Sequence, residues 1–116
     1  MNDLTMPIVD VTADKNALGI AKTDLAFLTT LISKKLSVEE WPIYENHISI
    51  RFYEVDGELI GDIEVVLSAH CFPARAELKD EICTQIRSLL EERWKQEVRV
   101  WLQLFDMGYG TKVKLE

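Results

Sequence analysis

No stretch of the chain approaches the ~20 consecutive apolar residues that a membrane-spanning helix needs, so none reads as one. The opening Met1-Asn2-Asp3-Leu4-Thr5 has neither the basic start nor the apolar stretch of a secretory signal, which makes the cytoplasm the expected compartment. Cysteine is scarce. Cys71 and Cys83 are the only two, with no CxxC, so no disulfide framework is expected and both read as buried thiols. Histidine is equally sparse. His47 and His70 lack the spacing of a zinc site, which gathers three or four convergent ligands, so no metal is expected. Basic residues are outnumbered, 13 Lys and Arg against 20 Asp and Glu, for a net charge of −7. Nucleic-acid binding draws on a surplus of cations and is not expected here. A small anionic substrate remains compatible, because one or two arginines in a pocket suffice to hold it.

What is present is a foldable core. Apolar residues make up 47% of 116 positions, enough for one domain and too many for a disordered chain. The domain is expected over residues 7–110, with residues 1–6 as an amino-terminal extension and 111–116 as a tail.

The order of elements follows from periodicity. Pro7 to Thr12 reads as a strand, with Val9 and Val11 on one face and Ile8 and Asp10 on the other. Residues 13–21 read as a mixed connector containing Gly19. Thr23 or Asp24 is placed to cap a helix running to about Leu36, with Leu25, Leu28, Ile32 and Leu36 on one face. His47 to Val55 alternates as a second strand, Asp56-Gly57 is a turn signal, and Glu58 to Ile60 is expected to pair back across it. Ile63 to Ala69 is nearly continuous in apolar residues, as for a strand covered on both sides. A second helix is predicted from about Arg75-Ala76 to Trp94, with Leu78, Ile82, Ile86, Leu89 and Leu90 as its stripe. Glu97 to Phe105 is the last strand, and Asp106 to Gly110 a loop.

Strand-helix-strand occurs twice. The expected fold class is α+β: two βαβ units forming a four-stranded mixed sheet with two helices on one face. The other sheet face then carries Ser49, Tyr53, Trp101 and Phe105. A half-apolar face of that kind is expected to pack on another subunit.

With these elements in order, the chain resembles the tautomerase superfamily, which includes oxalocrotonate tautomerase, macrophage migration inhibitory factor and carboxymethyl-hydroxymuconate isomerase. The resemblance is carried by Met6-Pro7-Ile8-Val9-Asp10-Val11, by the repeated strand-helix-strand order, by Ala74-Arg75-Ala76-Glu77-Leu78-Lys79, and by Arg99-Val100-Trp101-Leu102-Gln103-Leu104-Phe105-Asp106-Met107 with Gly108 and Gly110 behind it. It implies a homotrimer with active sites between subunits. It also implies a cofactor-independent isomerase, in which an amino-terminal proline moves a proton in a small enol, α-keto or unsaturated carboxylic acid. An alternative reading is a catalytically inactive trimeric binding module, because Pro7 is not the first residue of this chain.

The choice rests on one nitrogen. Behind Met6, Pro7 is a tertiary amide with no proton. Were translation to begin at Met6 and the methionine be trimmed, Pro7 would be a free secondary amine able to act as general acid or base. As a strand opener it needs no function, since its missing N–H is tolerated there. Arg75 is the candidate anchor for a substrate carboxylate through its bidentate fork, or else a surface arginine paired with Glu77 or Asp80. Arg51 alternates outward and either reaches a neighbour's pocket or is solvated. Trp101 and Gln103 fall where the resemblance places an aromatic and an amide beside the proline; a subunit interface is the other reading of both.

Overall fold

Alternation of buried and outward residues in Ile8–Ala13 makes strand β1, with Val9, Val11 and Ala13 fully buried. The computed structural model describes residues 7–37 and 42–105. The expected extension 1–6, the loop from Asp106 to Gly110 with its tail, and Trp41 lie outside the described residues.

Residues predicted to be a connector form a helix instead. Asp14 accepts a hydrogen bond from the Ala17 N–H at 2.9 Å and so caps α1 (Lys15–Thr23), whose Ala17, Leu18 and Ala21 are buried. A polar cap followed by small apolar residues at helical spacing is enough, and Gly19 lies on the exposed side of the helix. Helix α2 (Leu25–Leu36) follows after Asp24 and buries Leu28, Leu31, Ile32 and Leu36. Leu25, expected on that face, is 44% exposed in the first turn. The helix end is tied to the next segment: Ser37 caps through its N–H to the Ser33 carbonyl, and its Oγ accepts from the Ile43 N–H at 2.8 Å.

A 3₁₀ turn at Glu45–His47 precedes β2 (Ser49–Glu54), so the strand opens later than its alternation suggested. Glu58 to Ile60 forms no strand. The reason lies in topology: sheet order is β2-β1-β3-β4, where β3 is Ile63–His70 and β4 is Val98–Phe105, so β1 separates the two strands that a hairpin would have paired. The segment between them crosses over β1, bending at Gly57 (φ 146°) and Gly61 (φ 87°), backbone regions open to glycine.

The second helix is broken in two. Pro73 occupies the first turn of α3 (Pro73–Glu77), a turn at Leu78 follows, and α4 spans Lys79–Trp94. Its stripe is narrower than the sequence indicated: Ile82, Ile86, Leu90 and Trp94 are buried, while Leu78 and Leu89 lie at the surface.

Strand β1 runs parallel to β2 and antiparallel to β3, and β3 runs parallel to β4. Registers Val9↔Ile50, Val9↔Leu67 and Leu67↔Leu102 align one apolar face across four strands. Helices α1, α2 and α4 cover that face, and together they make a single buried cluster. The expected four-stranded α+β architecture is therefore present. The opposite face carries Tyr53, Trp101 and Phe105, each about half exposed. Strand β3 is buried on its helix side and only half-buried on this one, at Glu64, Val66 and Ser68. Cys71, expected to be buried, is exposed: it follows β3, its N–H donates to the Phe105 carbonyl at 2.7 Å, and its side chain leaves the core. Cys83 is half-buried on α4. Among the described residues no helix is long and apolar enough to cross a membrane.

Candidate functional site

Strand directions bring distant residues to one end of the sheet. Because β1 and β2 begin where β3 and β4 finish, Pro7 lies beside the last residues of β3, at the end of the sheet where β4 also finishes. Pro7 is buried, and its carbonyl accepts from the Ser49 N–H at 3.2 Å, one step ahead of the Ile8↔Ser49 pair. Its nitrogen is the amide of the Met6–Pro7 link.

Arg75 arrives at the same end from α3. It is 2% exposed, unlike the surface arginine that the sequence allowed. Nε and Nη2 donate to the Leu36 carbonyl at 3.1 and 2.7 Å, and Nη1 donates to the His70 carbonyl at 2.7 Å. The guanidinium also lies over the Phe72 ring, 5.0 Å from its centroid. Leu36 is the last residue of α2, whose carbonyl end carries partial negative charge, so a buried cation is favourable there. Burial still pulls the Arg75 pKa below that of a solvated guanidinium, with the nearby Cys71 opposing the shift when ionised. No carboxylate pairs with it among the described residues. A guanidinium has five N–H groups, and these three bonds leave one on each Nη.

The remaining candidates lie on the outer sheet face. One cross-strand row reads Ser49, Ile8, Ser68, Gln103, and the next Arg51, Asp10, Val66, Trp101. Gln103 Oε1 accepts from Ser68 Oγ at 3.3 Å. Trp101 Nε1 donates to Glu64 Oε2 at 3.1 Å. Arg51 Nε pairs with Asp10 Oδ1 at 3.0 Å. Arg51 and Trp101 sit on opposite edge strands, three strand spacings or about 14 Å apart. A single protomer therefore gathers Pro7 and Arg75 at one end, places Gln103 in the nearest row of the other face, and holds Arg51 and Trp101 apart.

Two features of this end escaped the sequence reading. One is the burial of Arg75. Its signal was Phe72, three residues ahead at the cap of the helix, where a ring can cover a guanidinium. The other is the exposure of Cys71 beside that cation. Among the described residues no three His, Cys, Asp or Glu side chains converge as a metal site would require.

No family model matches the chain, and no curated protein matches it by sequence. Solved structures do resemble it. The crystal structure of N1, a member of the cis-3-chloroacrylic acid dehalogenase family, superposes with a TM-score of 0.61 at 13% identity, over 85% of this chain and 75% of that one. A fused 4-OT (W0, described as a symmetric trimer) gives 0.59 at 19% identity, over 85% and 87%. The macrophage migration inhibitory factor-like protein of Entamoeba histolytica gives 0.54 at 10% identity, over 87% and 88%. Paired βαβ units, a mixed sheet of order β2-β1-β3-β4 and a proline heading a central strand accompany these likenesses, and the chain has the tautomerase fold.

Proposed function

We propose that the protein is a cofactor-independent tautomerase or isomerase, moving a proton within a small enol, α-keto or unsaturated carboxylic acid. Pro7 is the general acid and base. The observation that supports this reading is that buried Pro7 and a buried Arg75, which lacks a carboxylate partner among the described residues, lie at the same end of the sheet. A free Pro7 amine in that setting is shifted toward its neutral form by burial and by the neighbouring cation, and a base works best with a pKa near ambient pH. Arg75 holds the substrate carboxylate through its two uncommitted N–H groups. The working form is a cytoplasmic homotrimer, packed through the outer sheet face. A neighbouring subunit supplies Trp101 to exclude water, Gln103 to donate to a substrate oxygen and Arg51 as a second cation.

The mechanism needs a mature chain that begins at Pro7. In the chain as written the Met6–Pro7 peptide link occupies the nitrogen, and this favours a second reading, a trimeric binding module without proton-transfer activity.

Ketonisation of phenylpyruvate and of hydroxymuconate by full-length and Pro7-start proteins, side by side, separates the two. Turnover confined to the Pro7-start form, and lowered roughly 10²- to 10⁴-fold by Pro7→Ala, is the expected result. No turnover by either form would overturn the enzymatic reading, and equal turnover by both would overturn the role of the Pro7 nitrogen.

A further inference from the structure

An amide side chain is an acceptor at one end and a double donor at the other, so a freely turning Gln103 would offer a substrate oxygen either end. What fixes it lies one strand away. Ser68 and Gln103 stand opposite each other in the parallel β3–β4 pairing, on the outer face. The Ser68 hydroxyl donates to Gln103 Oε1 at 3.3 Å. That hydroxyl has a single hydrogen. Its bond turns the Oε1 end of the amide toward β3 and the Nε2 end away from it. Strand β4 is an edge strand, so Nε2 then faces the open side of the sheet. Nε2 meets no acceptor among the described residues. Trp101 and Phe105, before and after Gln103 on the same face of β4, have none to offer. The rest of the row does not compete for the amide either. Ile8 is apolar, and Ser49 lies two strand spacings, about 10 Å, beyond Ser68.

We propose that Ser68 is a positioning residue, holding the Gln103 amide so that Nε2–H rather than Oε1 faces the substrate oxygen. This role rests on the function proposed above and gives the reason that Gln103 donates. In the step concerned, Pro7 removes a proton from the carbon beside the substrate carbonyl. The C–H electron pair becomes the new C=C bond and the carbonyl π pair moves onto oxygen. The proton on Pro7 then passes to that oxygen and completes the enol. Charge builds on the oxygen only as the reaction proceeds, so a fixed N–H acts on the transition state more than on bound substrate. The reversed amide would set Oε1 against that charge. Packing of the outer face on another subunit removes the water that competes for the hydroxyl, which strengthens the Ser68 bond.

The test is a variant series in the Pro7-start protein, with phenylpyruvate as substrate. Ser68→Ala is expected to lower kcat about tenfold with KM unchanged, the net worth of one hydrogen bond felt in the transition state. Ser68→Thr keeps the hydroxyl and should restore the rate. Gln103→Glu keeps an acceptor for Ser68 but has no N–H, and should fall as far as Gln103→Ala, about 10²-fold. In the Gln103→Ala background Ser68→Ala should have no further effect, because a residue acting through another is silent once that one is gone. In the full chain, the Gln103 side-chain amide signals in ¹H–¹⁵N NMR, assigned from Gln103→Glu, should move in Ser68→Ala and stay in Ser68→Thr. Ser68 is half-buried on a strand face, so loss of its hydroxyl leaves the fold intact, as the same spectra report. No turnover by the Pro7-start parent removes the proposed function and this role with it. Turnover that Ser68→Ala leaves intact, a loss carried by KM, a further loss on top of Gln103→Ala, or Gln103 signals indifferent to Ser68→Ala would each overturn the role of Ser68 alone.

Discussion

Asp24 and Arg93, 69 positions apart, close the helical layer: Arg93 Nη2 donates to Asp24 Oδ1 at 2.9 Å. The Trp94 indole donates to the other oxygen at 2.8 Å, and the Arg93 guanidinium lies 3.9 Å from the Phe27 ring centroid. One carboxylate at the α1–α2 junction thus fastens the last turn of α4. It was expected to cap a helix, yet its side chain makes no cap bond.

This contact has a pH signature. The hydrogen bond from Arg93 is the main influence holding the Asp24 carboxyl below its ordinary value, with burial opposing and Trp94 assisting. A depressed folded-state pKa stabilises above the unfolded-state value, about 3.9, and the contribution is lost as pH falls through the folded one. Asp24→Asn should therefore lower the urea midpoint at pH 7 and approach the parent protein as pH drops below about 4. A gap that stays constant down to pH 2.5 would contradict this account.

Arg75 predicts a larger effect. Arg75→Met keeps much of the volume but removes the three hydrogen bonds that Arg75 donates, two of them to the Leu36 carbonyl. Buried unsatisfied groups cost about 1–3 kcal/mol each, so a loss of about 3 kcal/mol is expected in urea unfolding. Arg75→Lys should recover only part of it, because one ammonium cannot reproduce the fork.

Lys95 ends α4 in the left-handed region, φ 56° and ψ 40°, while its N–H donates to the Glu91 carbonyl at 2.9 Å. Glycine takes that conformation without the Cβ penalty. Lys95→Gly should stabilise the protein by up to about 1 kcal/mol, read as a raised thermal midpoint.

The outer sheet face carries the assembly prediction. Trp101→Asp, on β4 beside half-exposed Val66 of β3, should reduce the sedimenting mass of the proposed trimer to that of one chain while far-ultraviolet dichroism is kept. An unchanged mass would remove this face as the subunit contact.

Much of the fold was legible because its strands alternate with period two. The predicted faces of Val9 and Val11, and of Val98, Val100, Leu102 and Leu104, are the faces that the register aligns. Helix α1 was not legible, since Asp14 and three small or apolar residues are a short signal beside a glycine. The Glu58 to Ile60 pairing failed because turn chemistry is local, whereas the choice of β1 as neighbour to both β2 and β3 is made by the whole sheet. At the candidate site, Pro7 and Arg75 were named from the residues and the resemblance. The burial of Arg75 was not foreseen, because it depends on Leu36, a residue 39 positions away.

The antiparallel seam between β1 and β3 relates the two strand-helix-strand halves by an approximate half-turn. Each half therefore starts at the opposite end of the sheet from the other. Polypeptides have a single leading nitrogen, so only one of these matching ends can ever be armed by it. The other opens with Asp62-Ile63 in mid-chain. A circular permutant starting at Ile63, with the old termini joined by a linker, would place a leading amine at the Ile63 end and leave Pro7 within a peptide link.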